Sequence, residues 1–264
     1  MKAVKRILIV LCLAAIIISA VQLLRIYLDY KEGEQTYTAI ADQYIIPVQT
    51  QPVIPTLPED PTTPESEDVT LPPAPPKATA PISVDFKTLQ KDFPNVIGWI
   101  YCEDTPINYP IMQCKDNEYY LKRLIDGTSN PSGSIFMDYR NASDFSDWNT
   151  LIYGHNMNNG SMFGSIYKYR HQSYYDAHPV MYILTPEKDY KLELFAGYIT
   201  SVKGDIFSFD SSPSDVKRIV TNARGLSAFK SNVEIQDGEK LVTLSTCYTD
   251  GYRYVMVGVL REPV

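Results

Sequence analysis

The sequence has no excess of positive charge and few residues of the types that bind metal ions. Among its 264 residues, 31 acidic side chains outnumber 24 basic ones, which gives a net charge of −7. Nucleic-acid binding requires a basic face, so we expect no nucleic-acid partner. The three histidines and four cysteines include no close pair such as Cys-x-x-Cys or His-x-x-x-His. The sequence therefore predicts neither a metal site nor a cofactor.

Cysteine is scarce, and its count outside the first segment is odd. Cys12 lies in an apolar stretch, which leaves Cys102, Cys114 and Cys247 for the rest of the chain. Three thiols cannot all pair within one chain, so at least one of them is a candidate reactive group. Cys102 and Cys114 could form a disulfide, but their sequence separation does not show proximity, and we expect both to be reduced.

The N-terminal segment has the composition of a membrane span. Ile7 to Leu24 is an apolar run of 18 residues, close to the roughly 20 that cross a bilayer. Basic residues precede it, so the positive-inside rule places residues 1–6 in the cytoplasm and the rest of the chain outside the cell. A cleaved signal peptide is the alternative. The run is long for one and lacks a good cleavage site, so we expect residues 7–24 to be an uncleaved, single-pass anchor in the cell membrane.

A proline-rich segment without glycine follows the apolar run. No glycine occurs between Gly33 and Gly98, and residues 47–81 hold 11 of the 19 prolines. Such a composition cannot bury a core, and it predicts an extended spacer that could hold a domain up to about 100 Å from the membrane. We assign residues 25–83 to a stalk and extracellular linker. The sequence leaves open whether residues 26–46 continue the anchor as a helical stalk. Residues 84–264 then suit one globular domain.

The globular domain has the pattern of a mostly β structure. Short strand-like runs separated by turn residues, from "VIGWIYC" to "YRYVMVGVL", are typical of a sandwich or barrel. Helical patterns are fewer: residues 84–93, "NEYYLKRLID" and "SMFGSIYKY" are candidates. The clearest is "SSPSDVKRIVTNARGL", where Ser212 is the expected N-cap, Pro213 takes the first helical position and Asp215 completes a capping pattern.

Cys247 and Arg253 end and begin two strand-like runs that a short turn joins. A three-residue loop at 249–251 would pair Tyr248 with Tyr252 and set Cys247 directly opposite Arg253, whereas a two-residue loop would turn the guanidinium to the other face. We predict the longer loop, because a nearby cation stabilises the reactive thiolate. The alternative is a buried cysteine that packs as a small apolar side chain, beside an arginine in a surface ion pair.

His155 is the candidate base. It ends the run "NTLIYGH" and enters the polar, glycine-containing loop "NMNNGSMFG", a good position for proton transfer. His171 has the context of a solvated helix end. His178 precedes Pro179 and is expected to be structural.

Together these segments resemble the signature of the sortases. "TLSTC" followed by an arginine on the next strand is similar to the sortase nucleophile segment, and "IYGHNMNNGSMFGSIYKY" is similar to the histidine segment of class B. "DNEYYL" and "GSIFMDYRN" also resemble class B, and the likeness covers residues 84–264. It implies a closed eight-stranded β-barrel with N-terminal helices and a long helix between the sixth and seventh strands. "SSPSDVKRIVTNARGL" stands where that helix is expected.

The resemblance also implies a reaction, since sortases are membrane-anchored cysteine transpeptidases of mostly Gram-positive bacteria. Cys247 would attack the threonyl carbonyl of a sorting signal to form a thioester, His155 would move protons, and Arg253 would bind the carbonyl or oxyanion. The partners would be surface proteins with sorting signals and an amine acceptor, either a cell-wall precursor peptide or a pilin lysine. Four further residues match positions that line the family's substrate groove: Tyr153, Ser245, Asn117 and Leu121. The interval of six residues from cysteine to arginine is shorter than is usual in class B.

Two other interpretations compete with this one. Papain-like cysteine peptidases place cysteine before histidine in the chain, the reverse of the order here, and chymotrypsin-like ones have a glycine-rich nucleophile segment that "TLSTCYTDG" does not resemble. A membrane-tethered, non-enzymatic adhesin or assembly factor on a sortase-like barrel would need none of the three catalytic residue types, yet all three are present.

Overall fold

The computed structural model describes residues 2–47, 80–208 and 212–262, and this part of the chain forms four α-helices and ten strands. The helices are α1 (Lys2–Tyr44), α2 (Phe86–Asp92), α3 (Gln172–Ala177) and α4 (Pro213–Leu226). Strands β1 (Ile45–Pro47) and β2 (Ile82–Val84) form a small sheet of their own. The other eight are β3 (Val96–Tyr101), β4 (Asn108–Met112), β5 (Ile135–Met137), β6 (Asn149–Tyr153), β7 (Val180–Leu184), β8 (Asp189–Ser201), β9 (Lys240–Thr249) and β10 (Tyr252–Arg261).

The eight strands β3 to β10 close into a barrel, in the order β10-β8-β7-β3-β4-β5-β6-β9. Most neighbours are antiparallel, whereas β4–β5 and β6–β9 are parallel. Closure leaves no strand edge unpaired, which protects the sheet from adding a foreign strand. Side chains of β10 alternate between two apolar clusters: Tyr254 and Met256 belong to one, and Val255 and Val257 to the other. The predicted eight-stranded barrel is confirmed.

Helix α4 follows the sixth barrel strand, β8, and precedes the seventh, β9. Its predicted start is observed: Ser212 is the N-cap, and its side chain and that of Asp215 form a reciprocal capping box, with proline in the first turn. The buried residues Val216, Ile219 and Ala223 pack the helix into the second apolar cluster, outside β8 and β10.

Two of the predicted helices are shorter than expected. "NEYYLKRLID" forms only a 3₁₀ turn at Tyr119–Lys122, because its start is held by the Asp116 carboxylate and its end turns back at Gly127, where φ is +85°. "SMFGSIYKY" likewise forms a 3₁₀ helix at Gly164–Arg170. The predicted helix near residues 84–93 is observed as α2, capped by the Asp85 side chain.

Helix α1 has two halves with different surroundings. It is the one helix in the described residues that is long and apolar enough to cross a membrane by length and composition, with a mean hydropathy of 3.0 over its most apolar window. The apolar side chains of its first half are exposed. In its second half, Tyr37, Ile40 and Tyr44 are buried in the main core. Residues 26–44, which the sequence left open, are therefore helical, and their C-terminal part packs on the barrel domain.

The two flanks of the proline-rich segment lie side by side. The predicted extended conformation of residues 48–79 falls outside the described residues. Its flanks, β1 and β2, pair antiparallel with Pro47 opposite Ile82, and the Asp85 N–H donates to the Tyr44 carbonyl at 2.9 Å. The segment thus leaves and re-enters the domain at one place, so its length does not set the distance between α1 and the barrel. A spacer role for residues 47–81 does not fit this pairing.

Replacing residues 50–77 by a short glycine-rich turn should leave the fold intact. Antiparallel strands can be joined by a short turn. Each halving of a loop's length lowers the free-energy cost of closing it by about 0.6 kcal/mol. We expect a Tm within about 3 °C of the parent or above it, measured by calorimetry. A chain with a scrambled segment of the original length is the control. A loss of more than about 10 °C in the shortened chain alone would show that the segment contributes to the fold.

Candidate active site

Parallel pairing between β6 and β9 brings a histidine and a cysteine to one place. Tyr153 of β6 is in register with Ser245 of β9. His155 and Cys247 each lie two residues farther on, so both side chains leave the same end of neighbouring strands toward the same face. Beyond the last ladder pair, the side chain of Asn156 donates to the Cys247 carbonyl at 3.0 Å. This bond ties the histidine loop to the cysteine strand.

The hairpin between β9 and β10 sets an arginine opposite the cysteine, by a route that differs from the prediction. Tyr252 pairs with Thr249, which leaves a two-residue turn, so the predicted pair of Tyr248 with Tyr252 is wrong. A β-bulge then takes up Tyr248 as an extra residue, and Cys247 pairs with Arg253 as predicted. The bulge supplies the one-residue shift that the prediction had assigned to a longer loop.

The neighbours of Cys247 and His155 shift the pKa values of both groups toward their charged forms. A hydrogen bond with His155 lowers the pKa of the Cys247 thiol against the opposing effect of partial burial, and the positive charge of Arg253 lowers it further. The same hydrogen bond raises the pKa of His155, although burial opposes it, and the Leu121 carbonyl, 2.6 Å from Nε2, adds to the rise. Both shifts are in the direction of a thiolate beside an imidazolium, and the thiolate is the reactive form of a cysteine nucleophile.

The seven residues predicted for the site line one groove of ≈ 180 Å³. They are His155, Cys247, Arg253, Tyr153, Ser245, Asn117 and Leu121. The structure adds Phe136, Gly154 and Thr246, which the sequence patterns did not single out. Within the described residues, the buried Ser245 Oγ has no hydrogen-bond partner.

A buried carboxylate, Asp138, holds one wall of the groove. Its Oδ2 accepts from the Tyr153 hydroxyl at 2.9 Å and from the Asn117 side chain at 2.8 Å, and Oδ1 accepts from Arg140 Nε at 3.0 Å. Burial would raise the pKa of this carboxyl, but the hydrogen bonds from Arg140, Asn117 and Tyr153 together hold it below its usual value. Sequence reasoning missed Asp138, although it lies inside "GSIFMDYRN".

The remaining candidates lie outside the groove. Cys102 is buried, with Sγ 3.6 Å from the Tyr169 hydroxyl, and Cys114 is half-buried; both are free thiols, as expected. His171 precedes α3 and accepts from Arg170 Nε, while the ring of His178 packs on an aromatic neighbour. No group of three or more potential metal ligands occurs among the residues that the structure describes.

A closed barrel that presents a thiol, an imidazole and a guanidinium in one groove is equipped for acyl transfer through a cysteine. Comparison with known proteins agrees: the sortase domain family matches residues 100–261. The chain belongs to the sortase family of cysteine transpeptidases, and its relatives are the class B enzymes.

Two curated relatives carry the name sortase B. That of Listeria monocytogenes is 37% identical over 169 residues, which cover 63% of this chain and 68% of the relative. That of Staphylococcus aureus is 31% identical over 163 residues, or 61% and 67% of the two chains.

Solved structures of sortase B have the same fold. The Bacillus anthracis enzyme in complex with AAEK1 has a TM-score of 0.69 at 31% identity and covers 89% of this chain and 99% of its own. A Staphylococcus aureus sortase B–substrate complex has a TM-score of 0.64 at 30% identity and covers 67% and 84%. The predicted membership of sortase class B and the predicted closed barrel are thus confirmed.

Proposed function

We propose that this protein cleaves a C-terminal sorting signal of secreted proteins after threonine, holds the product as a thioester on Cys247 and transfers it to an amine. The observation that carries the proposal is strand register: the β9–β10 pairing sets Arg253 opposite Cys247, and the parallel pairing of β6 with β9 places His155 in the same groove. A thiolate next to a proton donor and a fixed cation is what acyl transfer through cysteine requires.

The first half of the reaction forms the acyl-enzyme. The Cys247 thiolate attacks the threonyl carbonyl carbon, a C–S bond forms, and the carbonyl electron pair moves to oxygen. The guanidinium of Arg253 donates hydrogen bonds to this oxyanion. When the tetrahedral intermediate collapses, the C–N bond breaks and His155 gives its proton to the departing amine.

The second half reverses these roles. The acceptor amine attacks the thioester carbonyl, and neutral His155 takes a proton from the attacking nitrogen. The C–S bond then breaks, and Cys247 leaves as a thiolate beside the re-formed imidazolium. The acid of the first step is thus the base of the second, so the enzyme returns to its starting protonation state.

The walls of the groove would select the peptide. Asn117 and Tyr153 are held by Asp138 and present fixed polar edges, Leu121 offers an apolar contact, and Ser245 lies at the floor of the groove. The Staphylococcus aureus sortase B of this fold has been solved as a substrate complex, which supports a substrate-binding role here. Class B enzymes often accept Asn-Pro-x-Thr signals, and we propose this type here.

The layout of the chain supports action outside the cell. The apolar half of α1 would serve as a single-pass anchor, with residues 1–6 in the cytoplasm and the barrel outside. Substrates would be secreted surface proteins with C-terminal sorting signals. The acceptor would be a cell-wall precursor peptide or a pilin lysine.

A peptide panel tests this function. The full-length protein in detergent is incubated with Asn-Pro-x-Thr and Leu-Pro-x-Thr-Gly peptides, each with and without an amine acceptor, either triglycine or a lysine-containing pilin peptide. We expect cleavage after threonine in one class and a new amide product only when an acceptor is present, both followed by mass spectrometry. Absence of any cleavage, or cleavage at a residue other than threonine, would contradict the proposal.

A further inference from the structure

The second half of α1 contacts two parts of the barrel domain that lead to His155: the turn at residues 130–134 and Tyr109 of β4. In the first contact, the buried Tyr37 hydroxyl donates to the Gly133 carbonyl at 2.7 Å and lies 2.8 Å from Ser134 Oγ. A further bond runs from the Asn130 side chain to the Asp29 carbonyl of α1 at 2.9 Å. The helix thus rests directly on the turn at residues 130–134.

That turn supports the carbonyl group that His155 contacts. The Ser134 N–H donates to the Tyr120 carbonyl at 2.9 Å. Gly133 has φ of +57°, and a Cβ placed on it would be 2.7 Å from the Leu121 oxygen, so the turn packs against that carbonyl. The same Leu121 oxygen lies 2.6 Å from His155 Nε2. A short path of contacts therefore connects Tyr37 with the imidazole.

A second path reaches His155 from the other side. The Tyr37 ring meets the Tyr109 ring edge-on, with centroids 5.3 Å apart. The Tyr109 hydroxyl accepts from the Met162 N–H at 3.0 Å, and the next N–H, that of Phe163, donates to the His155 carbonyl at 3.0 Å. Tyr37 is thus connected to both the side chain and the backbone of His155 through separate neighbours.

We propose that Tyr37 is a positioning residue of the active site, through which the membrane-proximal helix keeps His155 oriented toward the thiol of Cys247. The inference rests on the proposed roles of His155 and Cys247. The bond from His155 to the Leu121 carbonyl stabilises the imidazolium, and the imidazolium stabilises the thiolate. Two other charged groups face this pair: Arg253 from β10, which favours the thiolate, and Lys122, which disfavours the imidazolium. If the turn at residues 130–134 becomes less ordered, the Leu121 carbonyl stabilises the imidazolium less. The imidazolium then stabilises the thiolate less, and the pKa of Cys247 rises.

The substitution Tyr37→Phe tests this proposal, with Tyr44→Phe as the matched control. Tyr44 lies on the same helix and is also buried, but its hydroxyl donates to Asp92 Oδ2 of α2 at 2.6 Å, away from the groove. Each variant loses one hydroxyl and keeps its ring. We expect a comparable, small fall in Tm for both, so stability alone does not separate them.

The discriminating measurement is the pH dependence of alkylation at Cys247. Full-length protein in detergent is treated with iodoacetamide between pH 5 and 9, and the modified Cys247 peptide is quantified by mass spectrometry. We expect Tyr37→Phe to move the profile to higher pH and to slow alkylation below the midpoint by about threefold or more. The kcat for peptide cleavage should fall while KM stays near the parent value. Tyr44→Phe should match the parent in both respects.

An unchanged profile in Tyr37→Phe would overturn the inference, and so would an equal shift in Tyr44→Phe, which would indicate general loosening of the domain. Failure of the proposed function has a different signature. In that case the parent protein itself would show an ordinary, unperturbed thiol profile at Cys247, and both proposals would fall together.

Discussion

Replacing Cys247 with alanine is expected to abolish cleavage and transfer, with a loss of at least about 10⁴-fold in rate. The effect is large because the other aliphatic hydroxyls that line the groove cannot take the place of the sulfur: Ser245 and Thr246 are both buried, and neither oxygen is hydrogen-bonded to a base. The measurement is the initial rate of product formation from the peptide that the panel identifies, followed by mass spectrometry.

Cys114→Ala is the matched control for this prediction. Cys114 is also a free thiol, but it is half-buried, and its sulfur donates to the Asp116 carbonyl at 3.2 Å. We expect this variant to keep the parent rate. If activity survived in Cys247→Ala and disappeared in Cys114→Ala, the nucleophile would be Cys114, and our assignment of Cys247 would be wrong.

Substitutions at Arg253 should separate its charge from its geometry. We expect Arg253→Ala to lose about 10²- to 10³-fold in kcat, the usual effect of removing an oxyanion donor. Arg253→Lys keeps a cation opposite Cys247 and should therefore keep thiol alkylation near the parent rate. Lysine cannot reproduce the planar fork of donors, so acyl transfer should remain impaired by at least about tenfold.

Arg218→Ala serves as the control for loss of an arginine. Arg218 lies on α4 and pairs with Asp205 on the surface, outside the groove. We expect this variant to show the parent alkylation and transfer rates. If Arg253→Lys transfers acyl groups as fast as the parent, positive charge alone is sufficient, and the proposed hydrogen bonds to the oxyanion are not needed.

Local patterns in the sequence were sufficient to predict much of the barrel and of α4. The capping box at Ser212 and Asp215 needs only neighbouring residues, and period-two alternation along residues 240–247 already places Ser245 and Cys247 on one face. The pair of Cys247 with Arg253 was also predictable, because a hairpin allows few registers. Its bulge was not, since a bulge at Tyr248 and a longer loop give the same pairing at Cys247.

Long-range pairings were beyond the reach of local patterns. The parallel register of Tyr153 with Ser245 joins residues that are far apart in the chain, and nothing near either residue specifies it. The same holds for Asp138, whose partners come from separate segments, and for Tyr37, whose hydroxyl contacts a turn almost a hundred residues away. The proline-rich composition of residues 47–81 suggested a spacer, because composition does not reveal that the two flanks pair.

The most direct test of the central claim is the intact mass of the protein during turnover. The account predicts that the full-length protein, mixed with its sorting-signal peptide and no amine, gains the mass of the peptide up to threonine. Peptide mapping should place this adduct on Cys247, added triglycine should remove it, and His155→Ala should show little of it. An adduct on another residue, or rapid product formation with no adduct and no dependence on His155, would contradict a thioester mechanism in this groove.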